Sequence, residues 1–313
     1  MRLIAHAKIN LALAVGPPIP AGQPHAGFHP IASIMHAIDL AGTVEIVRTG
    51  APSGASEHRV EWSPDAPRPS PIDWPMEKDL VVRAHRALET RVQRALPARV
   101  RVAKRVPVGA GLGGGSSEAA AALAGLDQEF DLRLGHAALA EVARTIGSDV
   151  AFFLDDGDGG GGGGVPRPAL VTGAADTIVR LPRRAGWLVL ALPAFGCPTG
   201  EVYRAFDATR PGPIREDAVR ALAADRSWPP GGIGGAAGGG GLFNDLTSAA
   251  EAVRPALGSL RRGLESACGR TWHMSGSGST LFLPVATSAE AHAIASKMRR
   301  DRPDAEYVPA RLV

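Results

Sequence analysis

The stretch Pro107-Val-Gly-Ala-Gly-Leu-Gly-Gly-Gly-Ser-Ser-Glu118 runs directly into the alanine-rich segment Ala119-Ala-Ala-Ala-Leu-Ala124. Its five glycines lack a Cβ atom and therefore adopt left-handed backbone conformations at little cost. The two serines that follow are preferred helix N-cap residues, and alanine has the highest helix propensity. A glycine loop that ends at a helix N-terminus presents unpaired N–H groups and the positive end of the helix dipole. The stretch therefore predicts a phosphate-binding loop rather than a plain connector.

Residues 99–106, which precede the loop, alternate between polar and apolar and predict a strand. The loop can be compared with three known nucleotide-binding motifs. A P-loop requires a lysine after its last glycine, and this loop contains none. A dinucleotide fingerprint matches the spacing of Gly109, Gly111 and Gly114, but Pro107 and the double serine are foreign to it. An NAD-binding oxidoreductase is therefore the weakest alternative. The third motif is a proline followed by Gly-Leu-Gly-Ser-Ser, which here carries extra glycines.

The third motif resembles the phosphate loop of the GHMP kinases. Within that superfamily, further stretches resemble the 4-diphosphocytidyl-2-C-methyl-D-erythritol kinase family, in the same order along the chain: Ala7-Lys-Ile-Asn-Leu11, Gly27-Phe-His29, Gly147-Ser-Asp-Val150, Pro198-Thr-Gly-Glu-Val-Tyr203, Asn244-Asp-Leu246 and Met274-Ser-Gly-Ser-Gly278. The resemblance implies an α+β, two-domain GHMP kinase fold. We expect an N-terminal nucleotide-loop domain at residues 1–165 and a ferredoxin-like C-terminal domain at residues 166–313.

The same resemblance implies an enzyme that uses ATP and Mg²⁺ to phosphorylate the 2-hydroxyl of 4-diphosphocytidyl-2-C-methyl-D-erythritol, an isoprenoid-precursor step. Two alternatives stay open: a GHMP kinase for another small alcohol, and a nucleotide-binding relative without kinase activity. Ala26, Phe28 and Pro30 stand where the family carries aspartate, tyrosine and glutamate, which favours the first alternative. Lys8 and Asp149 both stand in matching contexts, which argues against the second.

Lys8, Asn10 and Asp149 are the candidate reactive residues. Lys8 and Asn10 share one face of an otherwise apolar strand, and that face is either solvated or part of a site. Asp149 lies in a turn of small residues, where an aspartate either caps the backbone or acts as a base. The resemblance makes Lys8 and Asp149 catalytic: Asp149 would accept the hydroxyl proton, and Lys8 would keep it ionised and stabilise developing charge.

The resemblance also implies the binding residues. It implies ATP contacts from Lys104, Pro107, Gly109, Ala110, Gly111, Leu112, Gly113, Gly114, Gly115, Ser116 and Ser117, one of the two serines also capping the helix. It implies substrate contacts from Asn10, Phe28, His29 and Thr199, with Phe28 stacking on the cytosine ring; on local grounds alone, His29 is a surface or capping residue. No metal-binding side chains are assigned.

Charge, cysteine content and hydropathy limit the classes of partner that the chain is expected to bind. The net charge of +3 over 313 residues is too small to predict a nucleic-acid partner, and no run of like charges forms a binding arm. Cys197 and Cys268 have neither metal-ligand spacing nor a disulfide rationale. No run of 18 apolar residues and no signal-like segment occurs. We therefore expect a cytoplasmic protein without nucleic-acid or membrane partners. The resemblance implies a monomer or homodimer that binds a cytidine diphosphate sugar alcohol.

Periodicity gives a coarse map of the elements. Strands are predicted over residues 3–15, 31–39, 43–48, 99–106, 187–193 and 279–284. Helices are predicted over residues 79–95, 116–129, 136–146, 213–224, 247–267 and 287–300. Three segments without period and rich in small or polar residues predict surface loops: residues 49–77, 157–164 and 229–241.

Overall fold

The computed structural model describes residues 1–50, 55–155, 164–225 and 241–313. This part of the chain contains ten strands: β1 (Arg2–Val15), β2 (Ile31–Arg48), β3 (Glu57–Trp62), β4 (Ala98–Lys104), β5 (Ala169–Gly173), β6 (Thr177–Arg180), β7 (Trp187–Pro193), β8 (His273–Met274), β9 (Leu281–Val285) and β10 (Ala305–Arg311). It also contains nine α-helices: α1 (Leu80–Val92), α2 (Gly114–Glu129), α3 (Gly135–Ile146), α4 (Val150–Phe153), α5 (Thr199–Ala208), α6 (Glu216–Ala224), α7 (Thr247–Val253), α8 (Pro255–Cys268) and α9 (Ser288–Asp301). The α+β prediction is confirmed.

The chain divides into two compact units. The first unit comprises Met1–Ala7, Leu40–Val108 and Gly113–Arg167. The second unit comprises Lys8–Asp39, Gly109–Leu112 and Pro168–Val313. A domain boundary after residue 165 stays a prediction. Strands β1 and β2 each run from one unit into the other.

In the first unit, β4 pairs antiparallel with Thr43–Arg48 of β2 and parallel with β3. Helices α1 to α4 pack against one another. Gly125 brings α2 close to the strands, because a Cβ at this position would lie 2.6 Å from Ile46 Cδ1. The alanine-rich run of α2 is buried as well, so this helix is held by close packing rather than by large side chains.

Strand β3 corrects the loop predicted over residues 49–77. Its charges hid it from a search for apolar alternation, yet they pair across to β4, where Arg99 Nε lies 2.9 Å from Glu57 Oε2 and Arg101 Nε donates to Glu61 at 2.7 Å. Cross-strand charge pairs of this kind stabilise a solvated strand face. The two glycine-rich segments predicted as loops lie outside the described residues, apart from Gly164 and Gly241.

The second unit contains an antiparallel sheet in the order β10-β7-β9-β8. Along the chain, helices α5 to α8 lie between β7 and β8, and α9 lies between β9 and β10. With α8 and α9 taken as the covering helices, the order is β-α-β-β-α-β, which is the ferredoxin-like arrangement. This prediction is confirmed. The core beside the sheet takes these side chains from α8 and α9: Leu257, Leu260, Leu264, Ala291, Ala295 and Met298.

Three predicted elements merge or divide in the structure. The strands predicted over residues 31–39 and 43–48 form the single strand β2. The helix predicted over residues 247–267 is two helices, because Pro255 cannot continue α7 and instead begins α8.

Among the described residues, no helix has both the length and the apolar character needed to cross a membrane.

Candidate functional site

The glycine loop has the backbone of an anion-binding nest. Gly109, Gly111 and Gly113 have φ values of 66°, 75° and 68°, whereas Ala110 and Leu112 between them have negative φ. Alternating handedness turns successive N–H groups towards one concave side, which is the arrangement that binds phosphate. Non-glycine residues pay about 1–2 kcal/mol for each left-handed conformation, so this backbone requires glycine at alternate positions.

Helix α2 begins two residues earlier than predicted. Gly113 is its N-cap, and the N–H of Ser117 is the first to donate within the helix, to Gly113 O at 2.9 Å. Neither serine is the N-cap, which corrects the prediction that one of them caps the helix. Within the described part of the chain, no N–H from Gly111 to Ser116 donates a backbone hydrogen bond. These donors are therefore available to a ligand.

Four successive carbonyl oxygens of the loop face into the second unit. Gly109 O accepts from Cys197 N at 3.4 Å and Ala110 O from Thr280 N at 3.1 Å. Gly111 O accepts from the Ser275 hydroxyl at 2.9 Å, and Leu112 O accepts from Lys8 N at 2.8 Å. Because all four carbonyls accept hydrogen bonds, residues 109–112 of the loop are held in place.

Lys8 and Asn10 are buried rather than solvated, each only 3% exposed. The Lys8 ammonium donates to Asn10 Oδ1. Asn10 Nδ2 donates in turn to Ser33 Oγ at 2.8 Å, and Ser33 donates to Ala12 O at 2.7 Å. The polar face of β1 is thus a buried chain of hydrogen bonds, in which Asn10 orients the lysine. This outcome excludes the solvated alternative for that face.

Asp149 immediately precedes α4, where it is half-buried. It occupies the N-cap position, but its side chain does not accept a hydrogen bond from that helix. The side chain therefore does not cap α4, and the choice between a turn residue and a base stays a prediction. Helix α4 packs against α2, so the residue that precedes α4 is carried by the same unit as Gly113 to Ser117.

Lys104 forms an ion pair with Glu118, and both side chains are buried. Burial raises the pKa of the Glu118 carboxyl, and the neighbouring Lys104 ammonium opposes that rise. The Lys104 ammonium also lies 6.0 Å from the ring centroid of Trp74, whose indole donates to Asp79 Oδ2 at 3.0 Å. Sequence reasoning identified the lysine and missed its carboxylate partner, which lies one helical turn past the loop.

The candidate base-recognition residues differ in their surroundings. Phe28 is 60% exposed, which leaves its ring open to stacking. The His29 side chain is buried: Nδ1 donates to Gly16 O at 2.8 Å, and Nε2 lies 3.4 Å from Asp207 Oδ1. A carbonyl only accepts hydrogen bonds, so Nδ1 carries a proton. The side chain of His29 is therefore not at the surface, and its bond to a backbone carbonyl is consistent with the capping alternative.

Thr199 begins α5 and is exposed, and its hydroxyl lies 3.0 Å from that of Ser277. Ser277 belongs to the same small-residue turn as Ser275. The second unit thus brings this turn together with Lys8, Asn10 and loop residues 109–112, and Thr199 borders it. In the first unit, Pro107 is buried. Gly114 lies so close to Val106 that a Cβ on Gly114 would be 2.7 Å from the Val106 Cβ. No cluster of three or more His, Cys, Asp or Glu side chains suited to a metal occurs among the described residues.

Comparison with known proteins gives consistent results. Residues 79–157 match the family described as the GHMP kinases N terminal domain. The 4-diphosphocytidyl-2-C-methyl-D-erythritol kinase of Pelotomaculum thermopropionicum is 34% identical over 300 residues, which cover 95% of this chain and 93% of that protein. The kinase of the same name from Anaeromyxobacter dehalogenans is 36% identical over 289 residues, which cover 90% of this chain and 80% of that protein.

A solved structure agrees with the sequence relatives. The crystal structure of a 4-(cytidine 5'-diphospho)-2C-methyl-D-erythritol kinase matches with a TM-score of 0.72 at 26% identity, covering 100% of this chain and 99% of that chain. This likeness, together with the match of residues 79–157, confirms the predicted two-domain GHMP kinase fold.

Substitution of two loop glycines tests the backbone geometry. A Cβ at Gly111 would lie 2.2 Å from Ser275 O, whereas a Cβ at Gly109 would come no closer than 3.9 Å to Gly196 Cα. We expect Gly109→Ala to lower the free energy of unfolding by about 1–2 kcal/mol, the cost of left-handed backbone alone. Gly111→Ala adds a backbone clash and is expected to cost at least about twice as much. Urea denaturation measures both; equal costs would contradict the close approach at Gly111.

Proposed function

This chain belongs to the 4-diphosphocytidyl-2-C-methyl-D-erythritol kinase family, and we propose that it transfers the γ-phosphoryl group of ATP to the 2-hydroxyl of 4-diphosphocytidyl-2-C-methyl-D-erythritol. The observation that carries the proposal is the glycine loop with its alternating φ values at Gly109, Gly111 and Gly113. Such a nest favours a polyphosphate donor. The identity of the acceptor alcohol is inferred from the family, because its relatives align with nearly the whole chain.

The loop is proposed to hold the phosphates of ATP. The N–H groups of Gly111 to Ser116 would donate to phosphate oxygens, and the N-terminus of the 16-residue helix α2 adds a favourable dipole. The hydroxyls of Ser116 and Ser117 could contact a phosphate oxygen or its Mg²⁺. Mg²⁺, bound with the nucleotide, would neutralise charge on the transferred group. Lys104, paired with Glu118, is proposed to lie on the adenine side.

The chemistry of the acceptor is assigned to Asp149 and Lys8. Asp149 would accept the proton from the 2-hydroxyl as its oxygen attacks phosphorus. Lys8 would stabilise the negative charge that develops on the phosphoryl oxygens, and burial strengthens the field of its ammonium. Its hydrogen bond to Asn10 orients the ammonium before the substrates arrive. Rate enhancement would come from positioning and electrostatics rather than from a covalent intermediate.

Acceptor recognition is assigned to Phe28, His29, Thr199 and Asn10. Phe28 is open enough to stack on cytosine, although it lacks the hydroxyl of the family's tyrosine. Because Nδ1 of His29 is committed to Gly16 O, any contact of this ring with the base would use Nε2. The Thr199 hydroxyl is exposed beside Ser277 and could contact a diphosphate oxygen.

Two variants test the catalytic assignment. Asp149→Asn removes the proposed base, and Lys8→Met removes the proposed cation while preserving side-chain length. Each variant is expected to lower kcat, measured as the rate of ADP formation, by about 10²-fold or more, which is the usual contribution of such groups. Asp131→Asn is the control, because Asp131 is exposed and paired only with the neighbouring Arg133 in the contacts described. Wild-type kcat in Asp149→Asn would rule out the base.

A panel of alcohols tests the acceptor. ADP release is measured with 4-diphosphocytidyl-2-C-methyl-D-erythritol, mevalonate and homoserine at equal concentrations. We expect turnover with the first alone, because only it offers a pyrimidine ring to Phe28. Selective turnover of another alcohol would assign a different GHMP substrate. No turnover with any of them would favour a nucleotide-binding relative without kinase activity.

A further inference from the structure

We propose that Asn244 is a positioning residue for the phosphate loop and that it acts through Ser275. The proposal rests on the proposed function, because it takes the loop to be the site of the nucleotide phosphates. All the contacts that carry it lie within the second unit.

The Asn244 amide holds the turn on both sides of Ser275. Its two N–H donors reach Met274 O and Gly276 O, each at 2.8 Å. Its Oδ1 accepts from Leu246 N at 2.9 Å, which fixes the orientation of the amide. Only a group with two donors and one acceptor satisfies all three partners, and among side chains of this size that group is the asparagine amide.

The Ser275 hydroxyl passes this constraint to the loop. It donates to Gly111 O at 2.9 Å and accepts from Asn10 N at 3.1 Å. The side chain is fully buried, so no water can replace either bond without a rearrangement. Ser275 therefore fixes the peptide of Gly111 and Leu112 relative to the strand that carries Lys8.

The direction of one peptide decides what the loop can bind. Gly111 O and Leu112 N belong to the same peptide group, so a carbonyl held by Ser275 turns the Leu112 N–H to the opposite side. If Ser275 moves, that peptide can rotate and the nest loses a donor. Asn244 thus controls affinity for phosphate without contacting the nucleotide itself.

The test compares two ligands that differ only in phosphate. Asn244→Asp keeps the shape of the side chain, but it replaces both N–H donors with a carboxylate oxygen facing two carbonyls. Dissociation constants for ADP and for adenosine are measured by calorimetry at neutral pH. We expect the ratio of ADP affinity to adenosine affinity to fall about tenfold or more. The carboxylate repels the carbonyls of Met274 and Gly276, which displaces Ser275 and frees the Gly111–Leu112 peptide to rotate.

Controls separate positioning from a loss of general stability. Thr247→Val removes the hydroxyl bond to Asn244 O in the same segment and is expected to leave the affinity ratio unchanged. Ser275→Ala is expected to lower the ratio in the same direction, and it serves as the test if Asn244→Asp does not fold. An unchanged ratio, an equal loss for both ligands, or the same loss in Thr247→Val would overturn the proposal.

The outcome is distinguishable from failure of the proposed function. If the wild-type chain binds ADP more tightly than adenosine but phosphorylates none of the alcohols, the proposed kinase activity is refuted and the role of Asn244 still stands. If the wild-type chain binds ADP no more tightly than adenosine, the role of Asn244 is refuted, because the loop then has no phosphate affinity for Asn244 to control.

Discussion

The backbone direction of the glycine loop is the constraint on which the proposed site depends. Four carbonyl oxygens, from Gly109 to Leu112, accept hydrogen bonds from the second unit. Within the residues that the structure describes, the N–H groups from Gly111 to Ser116 donate no backbone hydrogen bond and are left for a ligand. This separation of acceptors from donors requires left-handed backbone at alternate residues, which explains why the loop is glycine-rich. The glycines are therefore requirements of this backbone, which we propose to be an anion site.

The same strand that fixes the loop also carries the proposed cation. Lys8 N donates to Leu112 O, while the Lys8 ammonium is oriented by Asn10 inside a buried hydrogen-bond chain. The position of the ammonium relative to the Leu112 peptide is consequently set by main-chain geometry. A phosphoryl-transfer enzyme benefits from such rigidity, because preorganised charges need not reorganise as the reaction proceeds.

The loop and the strand of Lys8 were predicted from local patterns of composition and period. The ferredoxin-like half was predicted from the family resemblance, and its strand β10 was not predicted from period. Strand β3 was missed, since its charged residues conceal the alternation that stabilises it by pairing across to β4. The serines were predicted to cap α2, but the left-handed Gly113 takes that place. The way in which Asn244 and Ser275 hold the loop was not predicted, because it depends on contacts between residues as far as 265 positions apart, which no local pattern encodes.

The most direct test of the account is an amide NMR titration of the loop in protein labelled with ¹⁵N at glycine. Addition of ADP is predicted to shift the resonances of Gly111, Gly113, Gly114 and Gly115 strongly, whereas adenosine leaves them in place. Gly269, a left-handed glycine at the end of α8, serves as the internal reference. Equal shifts with both ligands, or ADP-dependent shifts that bypass these four glycines, would contradict the claim that the loop binds the phosphates.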